Sequence, residues 1–363
     1  MSDPVHVVII GASVARVATA KQLVKSLGSQ RMRVTIIDKV GQFYCLPMAT
    51  RGVVNKDFAK KTWFPLDEWV QGSPPHELVH GTVSEVHTSH VVVKETGTTY
   101  PYNYLVVASG MSYCAPFQFQ TTNPAEWLKA SHAYIDQIAK ATEILLVGDG
   151  STGVELAAKL KTTHPNKHVI LLHSKEWLLP EDAPLKFRRG VTDRPSVEIE
   201  ADWLIPTIGE TETQTSFMDE LLASSALELI HPQTRALRVS PTLQLVHDNF
   251  SHIFAVRDVN DTLGIKMAYR AYTQGNIAGE NLARLIKHHQ ANQGEHTDSK
   301  PPPQLKEYKP PSTGSRSLAL GTNNAIALIP GGWTVSGWLV GVFKRSSVML
   351  WQINSLLNKP MGR

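Results

Sequence analysis

Apolar residues along the chain fall first into a short continuous run and then into helical spacing. Val5–Ile10 is an apolar run typical of a parallel strand with both faces buried. Apolar positions at helical spacing follow up to Leu27, and Gly28 is a typical C-terminal stop for the helix that they predict. Residues 33–38 form the next strand candidate. This order predicts one β-α-β unit with a right-handed crossover.

The same order of strand, turn, helix and strand returns later in the chain. Residues 144–147 predict a strand, residues 148–150 a turn, residues 151–161 a helix and residues 168–174 a further strand. Other strand candidates lie at residues 79–86, 91–94, 104–108, 201–206 and 252–256. The chain is long enough for two or three modest domains. The pattern therefore predicts an α/β fold with two Rossmann-like dinucleotide-binding units.

The C-terminal part of the chain has a different pattern. Residues 288–315 are rich in Pro, Gln, His and Ser, which predicts a flexible linker. Residues 318–343 carry no charge and are numerous enough to span a bilayer, but Pro330, Gly331 and Gly332 would interrupt a helix. We therefore expect two or three short strands with turns, within a small C-terminal α+β segment. The alternative is a surface that contacts a membrane or a partner.

Composition and charge exclude several classes of protein. A net charge of +4 without clustered Lys and Arg gives no reason to expect nucleic-acid binding. Cys45 and Cys114 have no partner at metal-ligand or redox spacing, so we expect two small core residues, a reducing compartment and no metal site. The N-terminus shows no secretory signal, and Ser2 in place of Gly excludes N-myristoylation. These features predict a cytoplasmic protein.

The turn of the second unit has the glycine pattern of a dinucleotide-binding site. Gly148, Gly150 and Gly153 give G-x-G-x-x-G directly after a strand and at the start of a helix. The first Gly permits a tight turn, the second lets backbone N–H groups approach a pyrophosphate, and the third lets helix and strand pack closely. We therefore predict nucleotide binding at this turn. The alternative is a tight turn that binds nothing.

The turn of the first unit keeps only part of this pattern. Gly11 remains, but Ser13 and Arg16 occupy the positions of the second and third Gly. Ser13 adds a Cβ where a phosphate should approach, and Arg16 disturbs the packing unless its stem reaches outward to solvent. Asp38, at the end of the next strand, is the residue type that binds ribose hydroxyls. Nucleotide binding is predicted here too, and a buried α/β unit kept for folding is the alternative.

These motifs resemble one family over roughly the whole chain. The chain is similar to the apoptosis-inducing-factor-like flavoproteins, in particular the AMID and ferroptosis-suppressor branch, and more distantly to the type-two NADH:quinone oxidoreductases. The matching segments are residues 5–38, 104–110, 146–174, 178–182, 205–209, 253–258 and 266–268 and the Gly- and Trp-rich C-terminal segment. The resemblance implies that FAD lies along the first unit and NAD(P)H along the second.

The resemblance also implies roles for individual residues. For FAD it implies Gly11, Ser13 and Asp38 at the pyrophosphate and ribose, Val83 at the adenine, Ser109 and Gly110 at the pyrophosphate, Asp258 at the ribityl chain, and Lys266, Met267 and Ala268 near the isoalloxazine. For NAD(P)H it implies Gly148, Gly150 and Gly153. For Glu155 two roles stay open: a contact with nicotinamide or flavin, or an ordinary helix position without a ligand contact. The sequence singles out no catalytic residue.

The chain departs from the family pattern at two places. The family's second FAD signature is a strand followed by Gly-Asp, and here Arg257 replaces that Gly before Asp258. The guanidinium either clashes with flavin or neutralises its phosphates. Only 28 positions separate Ser174 from Asp202, which implies a shortened NAD(P)-binding domain. No acidic residue ends the strand at His173, so NADPH is as plausible as NADH.

Together these features predict an FAD-dependent NAD(P)H oxidoreductase that passes electrons to a quinone-like or other small acceptor. The alternative is a degenerate flavoprotein fold with a binding, scaffold or non-redox role on a small molecule. We expect an FAD-binding domain at residues 1–115 and 211–287, an NAD(P)-binding domain at 116–210, a linker at 288–316 and a C-terminal segment at 317–363. Peripheral membrane contact through residues 318–343 is compatible with either function.

Overall fold

The computed structural model describes residues 4–11, 14–28, 32–66, 76–148, 150–174, 178–179, 200–223, 229–264, 267–292, 301–310, 316–321, 324–329 and 333–343. The strands in this part of the chain are β1 (Val5–Ile10), β2 (Met32–Asp38), β3 (Gln42–Tyr44), β4 (Trp63–Pro65), β5 (Glu77–His80), β6 (Val83–Val86), β7 (His90–Val93), β8 (Thr99–Pro101), β9 (Tyr104–Val107), β10 (Met111–Tyr113), β11 (Glu143–Val147), β12 (His168–Leu172), β13 (Trp203–Pro206), β14 (Glu210–Thr213), β15 (Ile253–Ala255), β16 (Arg316–Leu320), β17 (Asn324–Ile329) and β18 (Trp333–Gly337). The helices are α1 (Val14–Leu27), α2 (Ala49–Gly52), α3 (Lys56–Lys60), α4 (Pro124–Lys140), α5 (Ser151–Thr163), α6 (Asp219–Ala223), α7 (Ala268–Asn292) and α8 (Trp338–Phe343).

Five parallel strands form the first sheet, in the order β15-β9-β1-β2-β5. The side chains of β1 and β2 are buried on both faces, which explains their nearly continuous apolar sequences. α1 connects these two strands, so the predicted first β-α-β unit is confirmed. β15 joins the same sheet from beyond the second unit. Strands on either side of that unit therefore belong to one sheet.

The long helix α7 packs on α1 through two glycines. A Cβ at Gly275 would lie 2.2 Å from the carbonyl oxygen of Ala15, and a Cβ at Gly279 would lie 2.6 Å from that of Thr19. The backbones of the two helices therefore approach more closely than any larger residue allows. α7 also holds the turn that carries Asp258, because Gln274 Oε1 of α7 accepts a hydrogen bond from the Arg257 N–H (2.6 Å).

The second sheet has three parallel strands among the described residues, with β11 between β12 and β13. α5 follows β11 through the glycine turn and packs on the sheet through the fully buried Leu156 and Leu160. The predicted second β-α-β unit is confirmed. The shortening predicted for this domain falls largely on residues 180–199, which lie outside the described part of the chain, and it stays a prediction.

Short antiparallel pairings complete the two units. β6, β7 and β8 form a three-stranded sheet, and β3 pairs with β4. β10 pairs with β14. Because β10 follows β9 of the first sheet and β14 follows β13 of the second, this pair joins the carboxyl ends of the two parallel sheets. Ligands of doubly wound folds bind at those ends.

The C-terminal strands β16, β17 and β18 form an antiparallel sheet, followed by α8. These strands agree with the short strands predicted for residues 318–343. Leu318, Ile326 and Leu328 pack against Val154 of α5, so this sheet is attached to the second unit. Within the described ranges, no helix has both the length and the apolar character needed to cross a membrane.

The linker prediction is wrong for part of its range. α7 continues to Asn292, and residues 301–310 lie against it. The Asn281 amide of α7 is fully buried; its Nδ2 donates to the Lys306 carbonyl (2.9 Å) and its Oδ1 accepts from the Lys306 N–H (2.7 Å). The buried Tyr308 donates its backbone N–H to the Pro241 carbonyl. A buried amide such as that of Asn281 requires hydrogen-bond partners, and residues 301–310 supply them by packing against α7. Residues 293–300 and 311–315 lie outside the described residues.

Candidate functional site

The glycine turn of the second unit is tightly built. Gly148 has a φ of +128° and donates its N–H to the Leu172 carbonyl of β12 (2.9 Å). Thr207, directly after β13, donates its Oγ1 hydrogen to the carbonyls of Val147 (3.0 Å) and Gly148 (3.1 Å). Only glycine adopts the Gly148 conformation readily. The turn is therefore held by both neighbouring strands.

The other two glycines of this turn have different surroundings. A Cβ at Gly153 would lie 2.5 Å from the Gly148 carbonyl oxygen and 2.7 Å from Thr207 Oγ1, so Gly153 is required for packing. Gly150 is the N-cap of α5, and no atom lies within 4 Å of a Cβ built there. The space beside the N-cap of α5 is thus open, and the first N–H groups of a helix suit a phosphate that binds there.

Glu155 of α5 lies against the C-terminal sheet. Its Oε1 accepts a hydrogen bond from the backbone N–H of Ala319 in β16 (2.9 Å). Burial lowers the pKa of Arg51 in α2, and the Glu155 carboxylate opposes that decrease. Glu155 therefore links α5 to the first unit and to β16. Its contact with nicotinamide or flavin stays a prediction.

The turn of the first unit repeats part of the same geometry. Gly11 has a φ of +100° and donates its N–H to the Ile37 carbonyl of β2 (2.9 Å). A Cβ at Gly11 would lie 2.6 Å from the Ala108 carbonyl oxygen and 3.0 Å from the Cα of Ser109. Gly11 is thus required by the close approach of the two strand ends. Ser13, predicted at the pyrophosphate, lies outside the described residues.

Arg16 does not reach solvent, so its stem does not avoid the helix–strand packing by pointing outward. The whole residue is buried at 0% exposure. The third-glycine position faces the sheet, as the matching Gly153 does in the second unit, and any side chain there points into the protein. Burial lowers the pKa of Arg16 to about 10, while the negative charge of Asp38 opposes the decrease. The first unit therefore contains a buried positive charge close to the end of β2.

Asp38 ends β2 and is itself almost fully buried, at 5% exposure. Its Oδ1 accepts hydrogen bonds from the N–H groups of Val40 (2.9 Å) and Gly41 (2.8 Å). The carboxylate thus shapes the turn that follows β2. Its predicted contact with a ribose is a separate role and stays a prediction. Val83, predicted at the adenine, begins β6 and is buried in the core beside Ile37.

Ser109 and Gly110 lie where β9 ends. Ser109 Oγ donates to the Gln214 carbonyl (2.7 Å), and Gln214 donates its N–H to the Gly110 carbonyl (3.1 Å). Gly110 has a φ of +75°. These bonds tie the end of the first sheet to the residue that follows β14. The predicted pyrophosphate residues therefore lie at the junction of the two units.

Arg257 lies next to Gly110 and forms an ion pair with Asp258. The Arg257 Nη1 is 3.1 Å from the position of a Cβ on Gly110, and its Nε is 3.2 Å from Asp258 Oδ2. Both residues line a small cleft together with Met267, Arg270 and other residues at the start of α7. Ala268 begins that helix, and Lys266 lies outside the described residues.

Eight of the predicted site residues fall into two groups, whereas Val83 lies in the core and Glu155 lies against the C-terminal sheet. Gly11, Ser109, Gly110, Asp258 and Met267 surround the carboxyl end of the first sheet, whereas the three glycines of the second turn form the other group at the second sheet. Sequence reasoning missed the roles of two neighbours: Thr207, which holds the second turn, and Gln274, which accepts the Arg257 N–H in the first group. Arg257 was visible as a departure from the family pattern, but its position depends on tertiary contacts.

Comparison with known proteins identifies the family. Residues 5–196 match the model of the pyridine nucleotide-disulphide oxidoreductase family. The chain belongs to this family. It is 28% identical to ferroptosis suppressor protein 1 of Mus musculus over 90% of this chain and 89% of that protein. It is 22% identical to apoptosis-inducing factor homolog A of Dictyostelium discoideum over 98% of this chain and 92% of that protein. Its fold is similar to that of the sulfide:quinone oxidoreductase of Aquifex aeolicus, with a TM-score of 0.67 and 14% identity over 99% and 93% of the two chains.

These comparisons confirm the resemblance predicted from the motifs and the predicted fold class. FAD and NAD(P)H are the cofactors of the family, so both cofactor predictions are confirmed at the level of the family. Membership supports an NAD(P)H-dependent flavin oxidoreductase.

The residues of this chain fit the two cofactors in different ways. At the second turn, the open space at Gly150 leaves room for the pyrophosphate of NAD(P)H. At the first sheet, Gly11 and Gly110 have left-handed backbones at the ends of neighbouring strands, and the Asp258 carboxylate can accept hydrogen bonds from hydroxyl groups. The Arg257 guanidinium adds a positive charge there, which suits the anionic pyrophosphate of FAD.

Proposed function

We propose that the chain takes electrons from NAD(P)H through FAD and delivers them to a quinone-like or other small acceptor. The observation that carries this proposal is the junction of two nucleotide turns. The turns at Gly11 and Gly148 end strands of separate parallel sheets, and the β10–β14 pair joins the carboxyl ends of those sheets. Two dinucleotides bound at these turns would meet at the junction. A quinone-like acceptor is consistent with the name of the sulfide:quinone oxidoreductase that shares the fold.

The chain itself binds and orients the reactants. FAD, when bound, accepts a hydride from NAD(P)H and passes electrons on to an acceptor. The N–H groups at the start of α5 would bind the nicotinamide nucleotide, while Thr207 keeps the Gly148 carbonyl in place. Asp38 and Asp258, both less than a tenth exposed, would accept hydrogen bonds from ribose and ribityl hydroxyls. Their burial excludes competing water from these contacts.

The absorbance spectrum of the purified protein tests this proposal. We expect a flavin band, either as isolated or after FAD is added and excess cofactor removed. The loaded protein should then oxidise NADPH or NADH in the presence of a soluble quinone, with omission of the quinone as the control. Absence of the band under both conditions would contradict the proposal and favour the degenerate, non-redox alternative. A comparison of the two nucleotides also decides whether the missing acidic residue at the end of β12 permits NADPH.

A second proposal concerns the outer face of the C-terminal sheet. Trp333 and Trp338 are 73% and 65% exposed, and Ile329 and Val335 are exposed beside them. The β17–β18 register places Ile329 opposite Trp333, and Val335 follows Trp333 by two positions, so these three side chains share one face of the sheet. Trp338 begins α8, directly after β18. Aromatic side chains of this kind favour the membrane–water interface. We propose that this patch contacts a lipid surface peripherally.

Liposome flotation tests the membrane contact. We expect the protein to float with liposomes and the double variant Trp333→Ser/Trp338→Ser to lose most of that binding. Tyr269→Ser is the matched control, because Tyr269 is 69% exposed on α7, outside the C-terminal sheet. Equal flotation of the double variant and the control variant would refute a role for the patch. Failure of this test leaves the proposed redox reaction unaffected.

A further inference from the structure

Arg257 has a backbone conformation that normally requires glycine. Its φ is +74°, in the left-handed region that bulky residues rarely adopt. The surrounding hydrogen bonds maintain this conformation. The Arg257 N–H donates to Oε1 of the buried Gln274 (2.6 Å), and Gln274 Oε1 also accepts from Asn260 Nδ2 (3.0 Å). Strain that is held in place in this way is typical of functional sites.

The Arg257 side chain is oriented by one carboxylate. Its Nε lies 3.2 Å from Asp258 Oδ2, and the two side chains are 23% and 9% exposed. The contact with Asp258 uses Nε. The end of the guanidinium away from Nε, formed by Nη1 and Nη2, carries a second pair of N–H bonds, and Nη1 lies at Gly110. A guanidinium with its Nη groups presented in this way can bind two oxygens of a phosphate at once.

The Arg257 guanidinium lies at strand ends where a pyrophosphate is the expected ligand. Gly110 follows β9, and Gly11 follows the neighbouring strand β1, with Ser109 Cα 3.0 Å from the position of a Cβ on Gly11. Ligands of this fold bind at such strand ends, with their pyrophosphate next to the glycine turn. In this chain that turn carries Ser13 in place of the second glycine. The Arg257 cation next to Gly110 can supply attraction for the phosphates at these strand ends.

We infer that Arg257 binds the pyrophosphate of FAD through its Nη groups, with Asp258 as the residue that orients it. This inference rests on the proposed binding of FAD to the first unit. By this inference, the arginine that replaces the family glycine neutralises the phosphates of FAD and does not obstruct the flavin.

Binding of FAD and of riboflavin to the flavin-free protein tests the inference, because riboflavin lacks the pyrophosphate. We expect Arg257→Gly to weaken FAD binding about 10- to 100-fold, the range for a charge-assisted hydrogen bond, and to change riboflavin binding less than about twofold. Arg257→Lys should recover part of the loss. Flavin fluorescence gives both dissociation constants, and the FAD constant of Arg257→Gly should depend less on salt concentration.

Arg235→Gly is the matched control. Arg235 also has a positive φ, of +54°, and forms an ion pair, with Asp219 at 2.9 Å. Both Gly variants relieve a left-handed backbone, but only Arg257 lies at Gly110, so Arg235→Gly should bind FAD as the unchanged protein does. Arg257→Gln, which keeps a polar side chain but removes the charge, replaces Arg257→Gly if the glycine variant does not fold.

The possible results separate the inference from the proposed function. If the unchanged protein binds FAD and Arg257→Gly binds it equally or more tightly, the inferred role of Arg257 is overturned and the proposed function is not. Binding by Arg257→Gly without binding by the unchanged protein would show that the guanidinium obstructs the flavin. Absence of FAD binding in every form would overturn both the proposed function and the inference.

Discussion

Single methyl groups added at Gly150 and Gly153 separate cofactor binding from packing at the second turn. Gly153→Ala places a Cβ 2.5 Å from the Gly148 carbonyl oxygen, whereas ordinary contacts begin near 3.4 Å. The carbonyl cannot move freely, because it accepts the Thr207 Oγ1 hydrogen bond at 3.1 Å. Gly150→Ala meets no atom within 4 Å, and the φ of Gly150 is −69°, which alanine adopts without strain.

The two substitutions therefore have opposite expected effects. Overpacking by one methyl group costs about 1–3 kcal/mol, so Gly153→Ala should lower the free energy of unfolding by that amount. For Gly150→Ala, alanine is a poorer N-cap by about 0.5–1 kcal/mol, and the reduced entropy of the unfolded chain offsets about 0.4–1 kcal/mol of this. Its stability should be nearly unchanged. If the pyrophosphate of NAD(P)H approaches the backbone at residue 150, the methyl group of Gly150→Ala should obstruct it. The variant should then bind NAD(P)H about tenfold or more weakly, which corresponds to about 1.4 kcal/mol.

Two measurements on each variant decide the outcome. Urea denaturation gives the free energy of unfolding, and titration calorimetry with NADPH and NADH gives the dissociation constants. Unchanged nucleotide affinity of a stable Gly150→Ala would refute cofactor binding at this turn and leave it a structural β-α turn. Unchanged stability of Gly153→Ala would refute the packing argument, because the helix would then be free to move away from the strand.

Two further predictions concern the first unit. Gly275→Ala should destabilise the fold by about 1–3 kcal/mol, measured by urea denaturation, because its Cβ would lie 2.2 Å from the Ala15 carbonyl oxygen; a neutral result would show that α1 and α7 can separate at little cost. Burial lowers the pKa values of His6 and His76 below 6.5, so the unfolded chain takes up protons that the folded chain does not as the pH falls through 6.5. The free energy of unfolding should therefore decrease from pH 7.5 to pH 5.5. Replacement of both histidines by Gln should make it depend less on pH. If the double variant shows an equally steep decrease, these histidines do not cause the pH dependence.

The two β-α-β units could be predicted because their signals are local. Parallel strands buried on both faces require nearly continuous apolar sequences, and β1 and β11 show them. The turn at Gly148 was recognisable because three glycines at fixed spacing each meet a separate steric requirement. The observed φ of Gly148 and the close contacts of Gly153 agree with two of these requirements.

The docking of residues 301–310 could not be predicted from the sequence. Their composition is that of a linker, and composition reports only that a segment cannot form its own core. The segment is ordered by a partner that lies elsewhere in the sequence. Asn281 is a polar residue on the buried face of α7, and its amide is satisfied by the backbone of Lys306. A buried amide of this kind predicts that some partner exists, but not which segment supplies it.

The two arginines at glycine positions show where local reasoning stops. Arg16 could have been predicted to be buried, because the third glycine of such a turn faces the sheet by construction. For Arg257 two outcomes followed from the family pattern, and the choice between them depends on Gln274 and Asp258, which hold its backbone and its guanidinium. The first unit keeps Gly11 in a left-handed conformation, while cations occupy two positions at which the family has glycine. If FAD and NAD(P)H bind as proposed, binding at the first site depends on side chains, whereas binding at the second depends on backbone N–H groups at the start of α5. Neutral replacement of a single side chain should therefore weaken binding at the first site and not at the second.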